Sequence, residues 1–363
     1  MRIPVATPDI STLEVDYVTD AVRRGEVSSM GPYVETFEKR FAEFCEVPYA
    51  VSCMNGTVAL HLALIGLNIG PGDEVIVPAL TFVATANAVK HAGATPIFAD
   101  VHPEHWGLDP VSVAAKITPR TKAIIVVHLY GHPADLDPLV KMARERGIEL
   151  IEDAAESHGA RYRGKRVGSI GRVGTFSFYG NKILTTGEGG MVTTADVEIA
   201  DRMRMYKNHG NDPARRYAHL VVGYNYRMTN LQAALGLAQL ERVDELLEKK
   251  RMIAQGYREA LGNLPLAFQI SQSWADPVYW MACIILNADS NVSSSELRNE
   301  LEKSGIETRP FFIPIPQLLP YASVERFPIS EMLSARGINL PSGPKLALDD
   351  VRLVADTIRR ILS

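Results

Sequence analysis

Residues 74–101 read "EVIVPALTFVATANAVKHAGATPIFADV", and the fall of apolar residues along this stretch decides the fold. Val75, Ile76 and Val77 are apolar at consecutive positions, so a strand here is covered on both faces. The segment "TFVATANAVKHA" then has helical spacing, and "TPIFADV" returns to a strand. A strand buried on both faces, a helix and a second such strand form the repeating unit of a parallel sheet sandwiched by helices.

The same alternation extends in both directions. Upstream, "YAVSC" (49–53) reads as a strand and "TVALHLALIGL" as an apolar helix. Downstream come a short helix at 110–116, strand "KAIIVVHL", a helix at 136–146 and strand "IELIEDA". The order predicts an α/β fold with a large, mostly parallel sheet. After Ala160 the glycine-punctuated run to Thr194 predicts short antiparallel strands at the sheet edge. A long helical stretch from about Thr229 to Leu261 carries the expected domain boundary, giving a large domain over 1–245 with an N-terminal arm and a small α+β domain over 246–363. In the latter, "VYWMACIIL" reads as a strand, "SSSELRNELEKSG" as a capped helix and "ALDDVRLVADTIRRIL" as the last helix.

At 363 residues the chain exceeds what one core usually holds, and a net charge of −4 offers no footprint for nucleic acid or an anionic membrane. Three cysteines, Cys45, Cys53 and Cys283, lack any metal or redox spacing, which fits a reducing compartment. The opening "MRIPVATPDIST" has no apolar stretch behind a basic start, and no run approaches a membrane span. The expectation is a soluble, cytoplasmic enzyme.

Three features can carry chemistry. "SCMNGTVALH" (52–61) opens a helix directly after a strand, so backbone N–H groups near Gly56 and Thr57 converge on one point suited to a phosphate. Ordinary helix capping is the alternative. Asp153 ends a buried strand in "IELIEDAAESHGA", where open α/β sheets place their ligand crevice; capping of the following segment is the competing reading. In "FSFYGNKILTTGEGGMV" (176–192), Lys182 follows a strand whose Phe176 and Phe178 point one way and Ser177 the other. An amine desolvated there gains a free lone pair, whereas a plain surface lysine needs no such setting. Taken together, a phosphate cradle, a strand-end acid and an amine match the demands of pyridoxal 5′-phosphate.

Two other motifs weaken on inspection. "GARYRGKR" (159–166) approaches a phosphate-binding loop but places Arg166 where a hydroxyl must hold magnesium. His128 and His132 have a zinc-like spacing, broken by Gly131 at a strand end, and predict a structural loop.

The wording "NGTVALHLAL", "GDEVIVPALTFVATANAV", "HLYGHPAD", "IEDAAESHGA", "FSFYGNKILTTGEGGMV" and "VGYNYRMTNLQAALGLAQLE" resembles the DegT/DnrJ/EryC1/StrS family of sugar aminotransferases over nearly the whole chain. "YWM", "IETRPFF" and "RGINLPS" are similar to its GDP-perosamine synthase branch. The resemblance implies a fold-type I pyridoxal-phosphate-dependent transferase, the aspartate aminotransferase-like fold. It implies that Lys182 forms the covalent link to the cofactor and shuttles the proton, and that Asp153 faces the pyridine nitrogen. Gly56, Thr57 and Ser177 hold the phosphate, Phe82 stacks on the ring, and Glu156 lies near the ring hydroxyl. Asn225 and Arg227 fall in a segment that reaches the partner's phosphate across a homodimer with shared active sites. In "IETRPFF", Arg309 and Phe311 or Phe312 are the expected substrate contacts, a cation to pair with a diphosphate and a ring to pack on a base; a surface ion pair at Arg309 and small-domain core at the phenylalanines is the alternative. L-glutamate is the implied donor and a nucleotide-linked 4-keto-6-deoxy sugar the implied acceptor.

The chain departs from that branch after "IETRPFF", where a tyrosine and then a histidine usually occur and this sequence has Ile313 and Pro316. A keto-cyclitol acceptor is therefore the alternative. Lys182 excludes the dehydratases that carry histidine there, and the scattered cysteines exclude those with an iron–sulfur cluster. A non-catalytic sensor on the same fold is the rival from another class, set against by Lys182 and Asp153.

Overall fold

The computed structural model describes residues 2–363. Its main sheet has seven strands: β1 (Tyr49–Cys53), β2 (Glu74–Pro78), β3 (Thr95–Ala99), β4 (Thr121–Val127), β5 (Glu149–Asp153), β6 (Val173–Ser177) and β7 (Gly190–Thr194). They lie side by side in the order β1-β7-β6-β5-β4-β2-β3. Pairing is parallel from β3 to β6, while β7 is antiparallel to both β6 and β1. β7 alone among the seven runs against the others, so the C-terminal ends of the remaining strands meet along one edge.

Consecutive apolar residues divide between the two faces as the pleat requires. Ile76, Ile124, Val126 and Leu150 join one core with Phe37, Phe41, Phe176 and Phe178, and Val75, Val77, Ala123, Ile125 and Ile151 join the other with Leu60, Leu62 and Leu64. The helix Gly56–Gly66 is apolar nearly all round because it is buried against this second face.

A second sheet, antiparallel, runs in the order Leu266–Phe268, Ala282–Leu286, Gly337–Leu340, Arg309–Pro310. It packs on helices Val243–Leu261, Ser294–Lys303 and Leu348–Leu362 through Ile284, Leu286, Ile338, Leu297, Leu301 and Ile358. Helix Ser294–Lys303 starts with a full capping box between Ser293 and Glu296, as its sequence suggests.

Three expectations change in detail. The helical stretch from Thr229 to Leu261 is two helices, Asn230–Glu241 and Val243–Leu261, divided at Arg242. The Arg242 guanidinium reaches Glu14 at 2.7 Å and Glu245 at 3.2 Å, anchoring the first helix of the chain at the break. In "VYWMACIIL", Val278–Met281 lies outside the strand and bends against the 128–132 turn, with the Val278 N–H donating to the Gly131 carbonyl at 2.9 Å. Gly131 has φ +96, and a Cβ there would meet the Trp280 nitrogen at 2.7 Å, so only glycine permits this approach. The glycine-punctuated strands β6 and β7 are antiparallel as expected but lie inside the sheet, with β1 at the edge.

His128 and His132 are structural. His128 Nε2 lies 3.0 Å from Glu152, whose oxygens also accept from the N–H groups of Gly168, Ile170 and Gly171. Residues 161–166 form a hairpin rather than a phosphate loop.

Burial holds several histidines neutral, pushing His61 and His132 down to about 4 and His105 and His158 to about 3. The unfolded chain titrates them near about 6.5. Each contribution is present in full above that value and is lost as pH falls toward the folded one. His158 lies between the Phe176 and Phe178 rings, 5.5 Å from each. We predict that His158→Phe shrinks the stability lost between about pH 7.5 and about pH 5 by about 2 kcal/mol, measured by urea unfolding. An unchanged loss would show that His158 does not drive acid sensitivity.

Candidate active site

The strand ends converge on a cavity of about 490 Å³. Gly56 and Thr57 reach it from the helix after β1, Thr81 and Phe82 from the loop after β2, Asp153 and Glu156 from the end of β5, and Ser177 and Lys182 from β6 and its following turn. Arg309, Phe312 and Trp280 close it from the side of the second sheet.

Asn55 caps the helix start, its Oδ1 accepting from the Val58 N–H at 2.9 Å, so the chain turns at Gly56. A Cβ on Gly56 would lie 2.6 Å from the Ser177 Cβ. The helix terminus and the end of β6 are thus in direct contact, and their polar groups share one corner of the cavity. A hydroxyl beside a helix N-terminus suits a phosphate.

Asp153 is buried. Its Oδ2 accepts from the Thr85 hydroxyl at 2.9 Å and its Oδ1 from the Ala155 N–H at 3.2 Å. Burial raises its pKa against those bonds and against the positive charge of Lys182. A protonated ring nitrogen brought into this cavity would supply the charge partner that the carboxylate lacks.

The Lys182 Nζ sits 3.6 Å from Glu156 Oε1 and 3.8 Å from the centroid of the Trp280 ring. The other Glu156 oxygen accepts from the Tyr130 N–H at 2.8 Å. Burial dominates at both ends of the pair: it lowers the amine despite Glu156 and Asp153, and it pushes the Glu156 carboxyl up to about 7. The amine thus leans toward its nucleophilic form.

Phe82 is 55% exposed and faces Phe312 across 5.8 Å. Arg309 adds positive charge that also lowers the Lys182 pKa. The neighbouring Phe311 corrects an expectation. It is 2% exposed and packed on Trp106 and Tyr130 at 5.2 and 4.8 Å, so it is core and offers no stacking face. The strand ends at Pro310, and Phe312 alone of the pair lines the cavity.

Asn225 and Arg227 do not line the cavity. The Arg227 guanidinium donates to Asn225 Oδ1 at 2.8 Å and to Asn208 Oδ1 at 3.0 Å, and the Tyr226 carbonyl accepts from the Met54 N–H at 2.9 Å. They stand on the rim behind the helix start.

Sequence reasoning missed Thr85, Tyr130 and Trp280. Thr85 follows Phe82 by three residues in "TFVAT" and was legible as a hydroxyl in the first turn of the helix Ala84–His91. Trp280 was hidden because "VYWMACIIL" reads as one strand.

The arrangement can hold a phosphate at one corner, a cationic ring nitrogen at Asp153 and a carbonyl carbon at Lys182, which fits pyridoxal phosphate. Comparison with known proteins agrees. The chain is 46% identical to GDP-perosamine synthase of Escherichia coli O157:H7, covering 99% of each, and 45% identical to that of Caulobacter vibrioides, over 99% of this chain and 98% of that protein. Among solved structures, S. venezuelae DesV superposes with a TM-score of 0.94 at 37% identity, covering 100% of this chain and 99% of that one. The PLP form of a putative sugar aminotransferase, Spr1654 of Streptococcus pneumoniae, does so at 0.94 and 28%, over 99% and 98%. Residues 8–359 match the model of the DegT/DnrJ/EryC1/StrS aminotransferase family, and with the site as described the chain belongs to that family of pyridoxal-phosphate-dependent enzymes.

Proposed function

We propose that this aminotransferase moves the amino group of L-glutamate to the carbonyl of a nucleotide-linked 4-keto-6-deoxy sugar, as a GDP-perosamine synthase-like enzyme of the cytoplasm. The observation that carries the acceptor assignment is the side of the cavity facing Lys182. There Arg309 stands with Phe312, a cation and a ring face suited to a diphosphate and a flat base. A free keto-cyclitol would leave that cation without a counter-charge.

In this reading pyridoxal phosphate supplies the electron sink beside the reacting carbon when bound. Gly56, Thr57 and Ser177 would hold its phosphate, with Asn225 or Arg227 of one protomer contributing to the partner's site in a homodimer. Asp153, oriented by Thr85 and the Ala155 N–H, keeps the ring nitrogen charged. Phe82 covers the ring face, and Glu156 meets the ring hydroxyl. Lys182 Nζ would move a proton between the substrate carbon and C4′ of the cofactor within each half of the cycle, from the donor carbon in the first and to the acceptor carbon in the second. The division into a large domain over 1–245 and a small one over 246–363 belongs to the same proposal. It is supported by the main sheet lying within Tyr49–Thr194 and the second within Leu266–Leu340.

Lys182→Ala is expected to lower turnover at least about a thousandfold, measured in both half-reactions, because nucleophile and proton carrier leave together. Near-normal turnover would contradict the assignment. Arg309→Ala should raise the KM for the nucleotide sugar by about 10- to 100-fold and leave the glutamate half-reaction within a few-fold, the pattern of lost binding energy. An unchanged sugar KM, or better turnover of free keto-cyclitols, would move the acceptor to the alternative class. Arg227→Ala should weaken cofactor retention, and mixing it with Lys182→Ala protomers should restore activity that neither parent has. A fully active monomer would refute the shared site.

A further inference from the structure

Trp280 has two contacts with the segment that carries the reactive amine. Its ring centroid lies 3.8 Å from Lys182 Nζ, and its indole Nε1–H donates at 2.8 Å to the carbonyl of Asn181, the residue immediately before the lysine. One contact meets the side-chain cation and the other holds the main chain on which it is mounted.

The indole is itself fixed. It is 5% exposed and lies nearly parallel to the Tyr130 ring, 6.2 Å away at 16°. The Trp280 carbonyl accepts from Lys250 Nζ at 2.6 Å, and the same buried amine bonds the Ser342 carbonyl. These two bonds from one buried amine pin the backbone behind the ring. On the other side, Gly131 permits the 128–132 turn to close on residues 279 and 280.

We infer that Trp280 is a positioning residue for Lys182, its ring face receiving the ammonium whenever the amine is free of the cofactor and carries the transferred proton. This rests on Lys182 being the cofactor-linked amine. The groups that face that ammonium are Glu156, Asp153, Arg309 and His158. Glu156 and Asp153 attract it, but burial drives both toward their neutral forms, and Arg309 opposes it. The ring quadrupole of Trp280 is an attraction that does not titrate. It holds Nζ at one point in the cavity through the proton transfer, where a displaced amine would lose reach to the substrate carbon.

The test uses the holoenzyme in its aminated-cofactor form, in which Lys182 is free. Carbamylation of Lys182 by cyanate, followed by peptide mass spectrometry across pH, reports the neutral amine. Removing the ring face in Trp280→Leu should move the midpoint to lower pH by about half a unit or more. Trp280→Phe, which keeps a ring face, should restore most of that shift. In a separate experiment, single-turnover reaction of the aldehyde form with glutamate should slow about tenfold in Trp280→Leu, with the KM for glutamate changed less than about twofold. An unmoved midpoint, or a loss expressed entirely in KM, would overturn the inference. If Trp280→Leu fails to fold, Trp280→Phe decides: loss of the indole N–H should slow the half-reaction about threefold at unchanged KM, and an unchanged rate overturns the proposal. Failure of the underlying lysine assignment looks different, because Lys182 would then carbamylate equally in the aldehyde and aminated forms of the holoenzyme.

Discussion

The Lys182 amine is buried beside carboxylates that burial itself drives toward neutrality, and much of the surrounding structure serves to hold that arrangement. A flexible lysine in such a place would find a carboxylate, pair with it and lose its reactivity. Here Glu156 stands back at 3.6 Å with one oxygen committed to the Tyr130 N–H. Asp153 is occupied by Thr85 and Ala155. Each carboxylate is tied by neutral donors that orient it without neutralising it, and so each stays available to a group brought into the cavity.

That placement depends on packing at some distance from the cavity. Phe176 and Phe178 anchor β6 and the residue after it among Phe37 and Phe41, with ring centroids 4.9 to 5.3 Å apart, and so aim Ser177 the other way. Gly56 lets the first helix of the sheet meet Ser177 directly. Tyr130, with φ +56, turns its N–H toward Glu156 while its ring supports Trp280 and Phe312. One strained residue thus braces the carboxylate, the lysine's aromatic neighbour and the substrate side together.

Much of this was legible in the sequence. The apolar strands, the helix start at Asn55 and the lysine turn lie in local patterns of two or three residues, and local sterics alone give them their form. The parts that were not legible depend on contacts between distant segments. The split at Arg242 comes from Glu14, an acid more than two hundred positions away, so helical periodicity runs straight through it. Val278–Met281 has a strand's composition but is drawn out of the ladder by Gly131. Phe311 and Phe312 are adjacent and alike, and only the packing of Phe311 on the distant Trp106 and Tyr130 shows which faces the core and which the cavity.

Lys182 lies 3.6 Å from Glu156 at the cavity, Lys207 bonds Glu38 and Ser52, and Lys250 bonds two backbone carbonyls, and all three are largely or wholly buried. Of these three, Lys182 alone lines the cavity with Gly56, Ser177 and the strand-end Asp153. Reducing the holoenzyme with borohydride and mapping the tagged peptide tests this most directly. The account predicts the pyridoxyl mass on Lys182 alone, with loss of the visible absorbance of the bound cofactor. A tag on Lys207, Lys250 or any other lysine, with Lys182 unmodified, would contradict it.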